Sequence, residues 1–308
     1  MISVVIPVFN EKGNVSLLHK ELVGVLRGLG QPFEIIYVDD GSRDGTAAEL
    51  ATLTPATVIR FTRNFGKSQA LRAGFEEARG EYVITMDGDL QDDPQEIPRF
   101  IKEIESDEAL GVVVGWKQKR LDPNNKKIAS RIANGVTRFM TGVRVHDMNC
   151  GFKIYRSDAT KQLVLYGDLH RFIPAIVAGL GYGVAEISVH HRERKFGSSK
   201  YGFSRLITSW FDFFSLLFMR RSMDRPMHFF GSAGFLSGGI GAVILAYLTY
   251  VKFVHSELIG NRPLLLFGIL LVLLGVQLLS LGFIGDLIVR NGPSGGRTFV
   301  IKEKRTQS

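Results

Sequence analysis

The stretch YVITMDGDLQDDP, residues 82–94, decides the architecture. It opens on the β-favouring run Tyr82, Val83, Ile84 and Thr85, then sets four carboxylates, Asp87, Asp89, Asp92 and Asp93, within seven residues. A short apolar run bounded by turn residues reads as a strand buried on both faces. The acidic cluster after it therefore belongs at the strand's carboxyl end. Comparable apolar, β-branched runs occupy residues 3–8, 34–38, 57–61 and 111–115. Between them, Val15, Leu18, Leu22, Val25 and Leu26, and then Ala70, Ala73, Phe75 and Ala78, recur at helical spacing. Strands alternating with helices predict an open, mostly parallel α/β sheet, in which ligands bind outside the carboxyl ends of the strands. Here those ends read Asn10-Glu11, Asp39-Asp40-Gly41-Ser42, Arg63-Asn64 and Asp87-Gly88-Asp89. Polar groups recurring at one edge mark the rim of a ligand cleft.

At that rim Asp87-x-Asp89 suits a divalent cation such as Mg or Mn, because hard ions take carboxylate oxygens and the single intervening residue lets two carboxylates converge; Gln91 adds a neutral oxygen. So few protein ligands leave coordination positions for substrate phosphates. Two other patterns fail on their spacing. Gly66-Lys67-Ser68 resembles the end of a P-loop, but position 61 is Phe61 instead of glycine. Asp40-x-Ser42-x-Asp44-Gly45 resembles an EF-hand loop, but its twelfth position is Ala51. No G-x-G-x-x-G follows the first strand. Basic groups for a diphosphate occur later, in HHRERKFGSSKYGFSRL, residues 190–206, which carries Arg192, Arg194, Lys195 and Lys200 around Gly197, Ser198 and Ser199. Taken alone, such a loop beside a membrane is more often a contact for lipid head groups.

The net charge of +8 and the isoelectric point near 9.6 invite a nucleic-acid reading, but the sequence contains no nucleic-acid module. The single cysteine, Cys150, fits a reducing compartment. Hydrophobicity concentrates near the C-terminus: residues 227–251 and 263–285 carry no charged side chain, and each exceeds the ~20 residues a membrane-spanning helix needs. The alternative, a pair of soluble core helices, seldom reaches such uniform apolarity. Arg220, Arg221 and Arg225 precede the first span, and Arg290, Arg297, Lys302, Lys304 and Arg305 follow the second, whereas the connecting loop holds only Lys252 and Arg262, offset by Glu257. Both flanks are therefore expected in the cytoplasm, with the basic excess facing anionic lipid and phosphate ligands. The start, MISVVIPVFNE, lacks the features of a secretory signal. Residues 125–140 read as an amphipathic helix, on the bilayer surface or within the domain, and 203–219 as a more apolar helix at the interface. The tail after Arg290 is expected to be short and loosely ordered.

Five segments, VVIPVFNE, VDDGSRDGT, GEYVITMDGDLQDDP, DMNCGFKIYR and RKFGSSKY, occur in the order and spacing of the family 2 inverting glycosyltransferases that act on polyprenyl phosphates. The chain resembles that family over nearly its whole length. The resemblance implies a GT-A fold, with a nucleotide-sugar and metal-binding half at 1–123 and an acceptor-side half at 124–202. A membrane-interface helix at 203–226, spans at 227–251 and 263–287 and a cytoplasmic tail at 288–308 would follow. It also implies that Pro7, Glu11, Val38, Asp39 and Asp40 hold the nucleoside, and that Asp87, Gly88 and Asp89, with Gln91, hold Mg or Mn and the donor diphosphate. Lys117 stands where relatives often carry arginine, so a bidentate phosphate contact there is in doubt. Arg194, Ser199 and Lys200 match late phosphate-binding positions, and Asp147 and Lys153 match a motif on the acceptor side.

The implied reaction is sugar transfer from a UDP- or GDP-sugar to a polyprenyl phosphate at the cytoplasmic face of the plasma or inner membrane. A lipid phosphate monoester has its second pKa at ~6, so the acceptor needs no strong base and Asp147 is expected to position it. A processive polysaccharide synthase would share the cleft, but neither Trp116 nor Trp210 lies in the Q-x-x-R-W motif of such enzymes. A non-catalytic nucleotide-binding scaffold would not need the acidic rim. The sugar, the nucleotide and the oligomeric state stay open, and the glycine-rich spans leave room for association between chains.

Overall fold

The computed structural model describes residues 1–117, 143, 145–190, 192, 226–255, 263–291 and 301–307, of which 288–291 and 301–307 are described as backbone only. The chain forms two compact units, Met1–Phe214 with Arg297–Ser308, and Ser215–Gly296.

In the first unit the alternating pattern becomes β1 (Ile2–Val8), α1 (Val15–Gly28), β2 (Phe33–Asp39), α2 (Thr46–Leu50), β3 (Ala56–Phe61), α3 (Lys67–Glu77), β4 (Tyr82–Thr85), α4 (Ile97–Glu105) and β5 (Leu110–Trp116). There follow β6 (Lys153–Arg156), α5 (Ser157–Lys161), α6 (Ile173–Gly179) and β7 (Gly183–Ser188). A last strand, β8 (Ile301–Gln307), closes an eight-stranded sheet of order β7-β5-β6-β4-β1-β2-β3-β8. The runs β1, β2, β4 and β5 are almost wholly buried, as strands covered on both faces must be.

β1 pairs in parallel with β2 on one side and β4 on the other. The chain order therefore reverses at β1, and the crevice at the carboxyl ends of β1 and β4 is the expected ligand position. Pairing with β4 ends at Val5↔Thr85, so Pro7, which has no N–H to give, lies beyond it and costs the sheet no hydrogen bond on that side.

The sheet is more mixed than the pattern predicts. β6 enters antiparallel between β4 and β5, and β8 pairs antiparallel with β3. The second pairing corrects the expectation of a loose tail: Ile301–Gln307 is an edge strand. Its sequence, IKEKRTQ, is strongly charged, which suits a sheet edge because charges there discourage pairing with other chains. Deleting residues 301–308 uncovers β3. Thermal denaturation is expected to show a midpoint lowered by roughly 5 °C, and light scattering a greater tendency to aggregate.

The second unit contains α7 (Pro226–Val254) and α8 (Pro263–Asn291), both long and apolar enough to cross a membrane. Small residues let the two backbones approach: a Cβ on Gly234 would lie 2.7 Å from the Gly275 carbonyl oxygen, and one on Gly241 2.7 Å from that of Gly268. The outer surface stays apolar, with Phe235 80 % and Phe253 76 % exposed. This is the inverse of a soluble core helix, and it supports membrane association.

Candidate active site

The loops after β1 and β2 are stitched together by the polar residues that the strand ends supply. The Asn10 amide donates to Ser42 Oγ (2.9 Å), the Arg43 amide to Asn10 Oδ1 (2.9 Å), and the Glu11 amide to Thr46 Oγ1 (2.9 Å). Asp44, of the EF-hand-like run, accepts from the Lys12 and Thr46 amides. Gly41 has φ +73°, and a Cβ there would lie 2.5 Å from the Arg63 carbonyl carbon, so only glycine lets these loops meet.

The paired aspartates at the end of β2 hold the frame of the cleft. Asp39 is fully buried; its Oδ1 accepts the Ser42 amide at 2.8 Å and its Oδ2 lies 3.3 Å from Arg60 Nε. Asp40 accepts the amides of Phe65 (2.6 Å) and Gly66 (3.0 Å). Burial outweighs those amides and pushes its carboxyl up to about 6. A raised folded-state value means that the folded chain binds the proton more readily than the unfolded one. The resulting stabilisation is complete below the ordinary carboxylate range and is lost as pH rises through about 6. The stability advantage of the wild type over Asp40→Asn should therefore narrow as pH is raised from 4 to 7, as read from thermal midpoints. Pro7 and Val38 are register partners across β1 and β2, with Val38 wholly buried.

The acidic loop after β4 is matched by cations distant in sequence. Lys67, the first residue of α3, donates to Asp87 Oδ1. Lys117, following β5, lies 2.9 Å from Asp92 Oδ1, while Asp92 Oδ2 accepts the Asp87 amide at 3.1 Å. Arg192 bridges Asp93 (2.6 Å) and Glu21 (2.5 Å), and its amide donates to the Gln91 carbonyl at 2.9 Å. Asp89, 8 % exposed, accepts the Gln91 amide at 3.2 Å. Burial alone would raise Asp87, but the Lys67, Lys117 and Lys153 ammonium groups prevail and hold it well below the ordinary carboxylate range. Burial likewise opposes the charge on Lys117, yet Asp92 and its other neighbours keep it firmly protonated.

The floor of the site comes from the turn before β6. A Cβ on Gly151 would lie 2.5 Å from Asp87 Oδ2, so only glycine lets this turn pass so close to the carboxylate. Gly88 abuts Val8, with 2.8 Å to a hypothetical Cβ. Lys153, 3 % exposed, donates to the Cys150 carbonyl, and burial draws its ammonium down to about 8. Asp147 is buried, and its amide donates to Glu186 Oε1 on β7 (3.1 Å). The same carboxylate takes the His146 amide (2.8 Å) and lies 2.7 Å from His146 Nδ1, while the His146 ring stacks on Trp116, 4.1 Å between centroids.

The structure thus gathers Glu11, Asp40, Asp87, Gly88, Asp89 and Gln91 on the loops that follow β1, β2 and β4. Lys117 is engaged with Asp92, and Lys153 lies inside the wall. Arg194, Ser199 and Lys200, and the helices expected at 125–140 and 203–219, fall outside the described residues. Sequence reasoning passes over Lys67 as a partner of the rim, the bond of Asp92 to the Asp87 amide, Glu186 and the bracing role of Arg192. For Lys67 a signal exists in Gly66-Lys67-Ser68, which fails as a P-loop yet delivers an ammonium to the acidic rim. Among the described residues no three His, Cys, Asp or Glu side chains form a ligand set. The hard carboxylates of Asp87 and Asp89, one residue apart on the loop after β4, fit a divalent ion whose remaining ligands are phosphate oxygens.

The sequence pattern of "Glycosyl transferase family 2" matches residues 3–164. The chain belongs to that family. It is 40 % identical over 297 residues, 94 % of this chain and 88 % of the relative, to the dodecaprenyl-phosphate galacturonate synthase of Rhizobium johnstonii. It is 34 % identical over 295 residues, 94 % of this chain and 85 % of the relative, to the undecaprenyl-phosphate 4-deoxy-4-formamido-L-arabinose transferase of Pseudomonas paraeruginosa. Among solved structures, glucosyl-3-phosphoglycerate synthase from Mycobacterium tuberculosis with Mn2+, UDP-glucose and phosphoglyceric acid superposes with a TM-score of 0.57 at 18 % identity, covering 71 % of this chain and 79 % of that one. That likeness establishes the fold, which is GT-A. The family 2 region runs from β1 through α5 and contains the whole acidic rim, so the enzyme is a glycosyltransferase.

Proposed function

We propose that this glycosyltransferase moves one sugar, with inversion, from a nucleotide-linked donor to a polyprenyl phosphate at the cytoplasmic face of the membrane. The observation that carries this reading is the rim itself, where Asp87 stands at the end of β4 among lysines, with the nearly buried Asp89 two residues on. It occurs in a chain 40 % identical, nearly end to end, to a polyprenyl-phosphate synthase. Glu11 and Asp40, with Pro7 and Val38 beneath them, lie on the two loops that would receive the nucleoside. Asp39 supports them through Ser42 and Arg60. Asp87 and Asp89, with Gln91, would hold Mg or Mn, which when bound neutralises charge on the departing diphosphate.

The acceptor phosphate is mostly dianionic at neutral pH, its second pKa being ~6, so the protein's task is to orient it and to overcome repulsion between two phosphates. Asp147, fixed through Glu186, serves as a positioning group. Arg194 and Lys200 supply the positive charge, a role supported by Arg192, whose amide ties the start of their segment to Gln91. Lys200→Ala is expected to lower turnover about 10²-fold, as loss of a charge-stabilising contact does, with protein abundance and nucleotide binding retained; near-normal turnover would remove Lys200 from the site.

The spans bring the enzyme to a lipid head group that cannot leave the bilayer. The basic flanks on both sides of the span pair support a reading in which the two ends face the same side of the membrane, and a β8 that pairs with β3 after two apolar helices is in keeping with it. The reading is tested with purified protein, undecaprenyl phosphate, Mn2+ and a panel of UDP- and GDP-sugars. Galacturonate and 4-deoxy-4-formamido-arabinose, the sugars in the relatives' names, are tried first. One sugar is expected to enter organic-extractable lipid. Failure of every donor, with nucleotide binding intact, would point to another acceptor.

A further inference from the structure

We infer that Lys67 is a resident counter-ion of the metal carboxylate, displaced from Asp87 by the divalent ion and turned toward the donor diphosphate, so that metal and nucleotide bind together rather than singly. The inference rests on the proposed reading of Asp87 as a metal ligand and concerns what occupies that ligand beforehand.

Lys67 Nζ sits on Asp87 Oδ1, one of the oxygens a cation would take. The backbone that carries Lys67 is held on both sides. Before it, the Phe65 and Gly66 amides are bound to Asp40, and Gly66 turns with φ +94°. After it, Ser68 Oγ accepts the His170 amide at 3.1 Å and lies 3.0 Å from His170 Nδ1. Gln69 Nε2 donates to the Leu165 carbonyl at 3.1 Å. Residues from both halves of the domain thus fix the root of the side chain and leave its flexible stem to move the ammonium. The Asp87 side chain keeps 32 % of its surface exposed, so the ammonium can be exchanged for another cation.

Charge balance sets the order of events. Lys67, Lys117 and Lys153 all act on Asp87. A doubly charged ion added to this cluster repels all three unless compensating negative charge arrives, and a nucleoside diphosphate brings it. Moving Lys67 from carboxylate to diphosphate relieves the repulsion and uses the freed ammonium on the group whose charge must be stabilised. Metal and nucleotide are then reciprocally coupled, and the coupling resides largely in one side chain.

The test is a titration of full-length protein in detergent with Mn2+, reading free Mn2+ by electron paramagnetic resonance, with and without UDP or GDP, for the wild type, Lys67→Met and Lys67→Arg. Melting curves establish that each variant is folded. In the wild type one of the two nucleotides is expected to tighten Mn2+ binding at least tenfold. Lys67→Met is expected to bind Mn2+ alone about tenfold more tightly than the wild type and to lose most of the nucleotide effect, while Lys67→Arg keeps the wild-type pattern. Equal or weaker Mn2+ binding by folded Lys67→Met without nucleotide overturns the counter-ion role. If the wild type binds no Mn2+ with either UDP or GDP, the metal reading of Asp87 fails first, and this inference fails with it.

Discussion

Asp89→Asn is expected to reduce sugar transfer by about 10³-fold or more while the protein remains folded and abundant. The substitution preserves shape, and an amide oxygen can still accept the Gln91 N–H that Asp89 Oδ1 now takes at 3.2 Å. It removes one of the two carboxylates that would hold the metal. A metal's stabilisation of developing phosphate charge amounts to several kcal/mol, and each 1.36 kcal/mol is tenfold in rate. The residue is nearly buried, so loss of its charge is not masked by solvent. The measurements are initial rates of label transfer to lipid beside the thermal midpoint and Mn2+ binding. A scaffold that only binds nucleotide or lipid phosphate would be indifferent to this change, so a variant retaining most of its transfer would place the chemistry elsewhere.

The second large effect concerns the spans. Replacing residues 226–296 by a flexible Gly/Ser linker, with 297–308 retained, is expected to preserve nucleotide-dependent thermal stabilisation and transfer to a short, water-soluble prenyl phosphate. Transfer to undecaprenyl phosphate in vesicles should fall by 10²-fold or more. Each methylene withdrawn from the bilayer costs ~0.8 kcal/mol, so a long-chain acceptor stays where it is and the cleft must come to it. Retaining the tail matters, because a simple cut after Arg225 also removes β8 and bares β3, confusing loss of the membrane with loss of an edge strand. Undiminished transfer to vesicle-borne lipid would remove the purpose assigned to α7 and α8.

Much of this architecture is legible in the sequence because it depends on period and punctuation. Val83 and Ile84 lie between acidic and turn residues, and Leu18, Leu22 and Leu26 share a helix face; local physics fixes both. Residues 227–251 and 263–285 carry no charge and are predominantly apolar, and only a bilayer or a fully buried core accepts such helices. What the sequence does not disclose is pairing over distance. Nothing local in Lys67 announces Asp87, twenty residues on, and Arg192 meets Glu21 across 171 positions. Lys153 illustrates a different limit: a lysine beside a binding motif suggests an exposed phosphate contact, and only the fold shows its ammonium buried against the Cys150 carbonyl. The charged run IKEKRTQ reads as a solvated tail because its partner strand, β3, lies some 240 residues earlier. Asp39 and Asp40 stand side by side and read alike, yet the strand alternation sends one to Arg60 and the other to the loop before α3.

The most direct measurement is the chemical identity of the lipid product. Undecaprenyl phosphate converted by the purified enzyme should be examined by phosphorus NMR and mass spectrometry. The predicted result is disappearance of the phosphate monoester resonance, appearance of a single diester resonance, and a mass increase of one sugar residue, all abolished by EDTA. A ladder of sugar additions would indicate a polymerising synthase, and a pyrophosphate pair of resonances would indicate transfer of a phosphosugar; either would contradict the transfer of a single glycosyl group at the rim formed by Asp87 and Asp89.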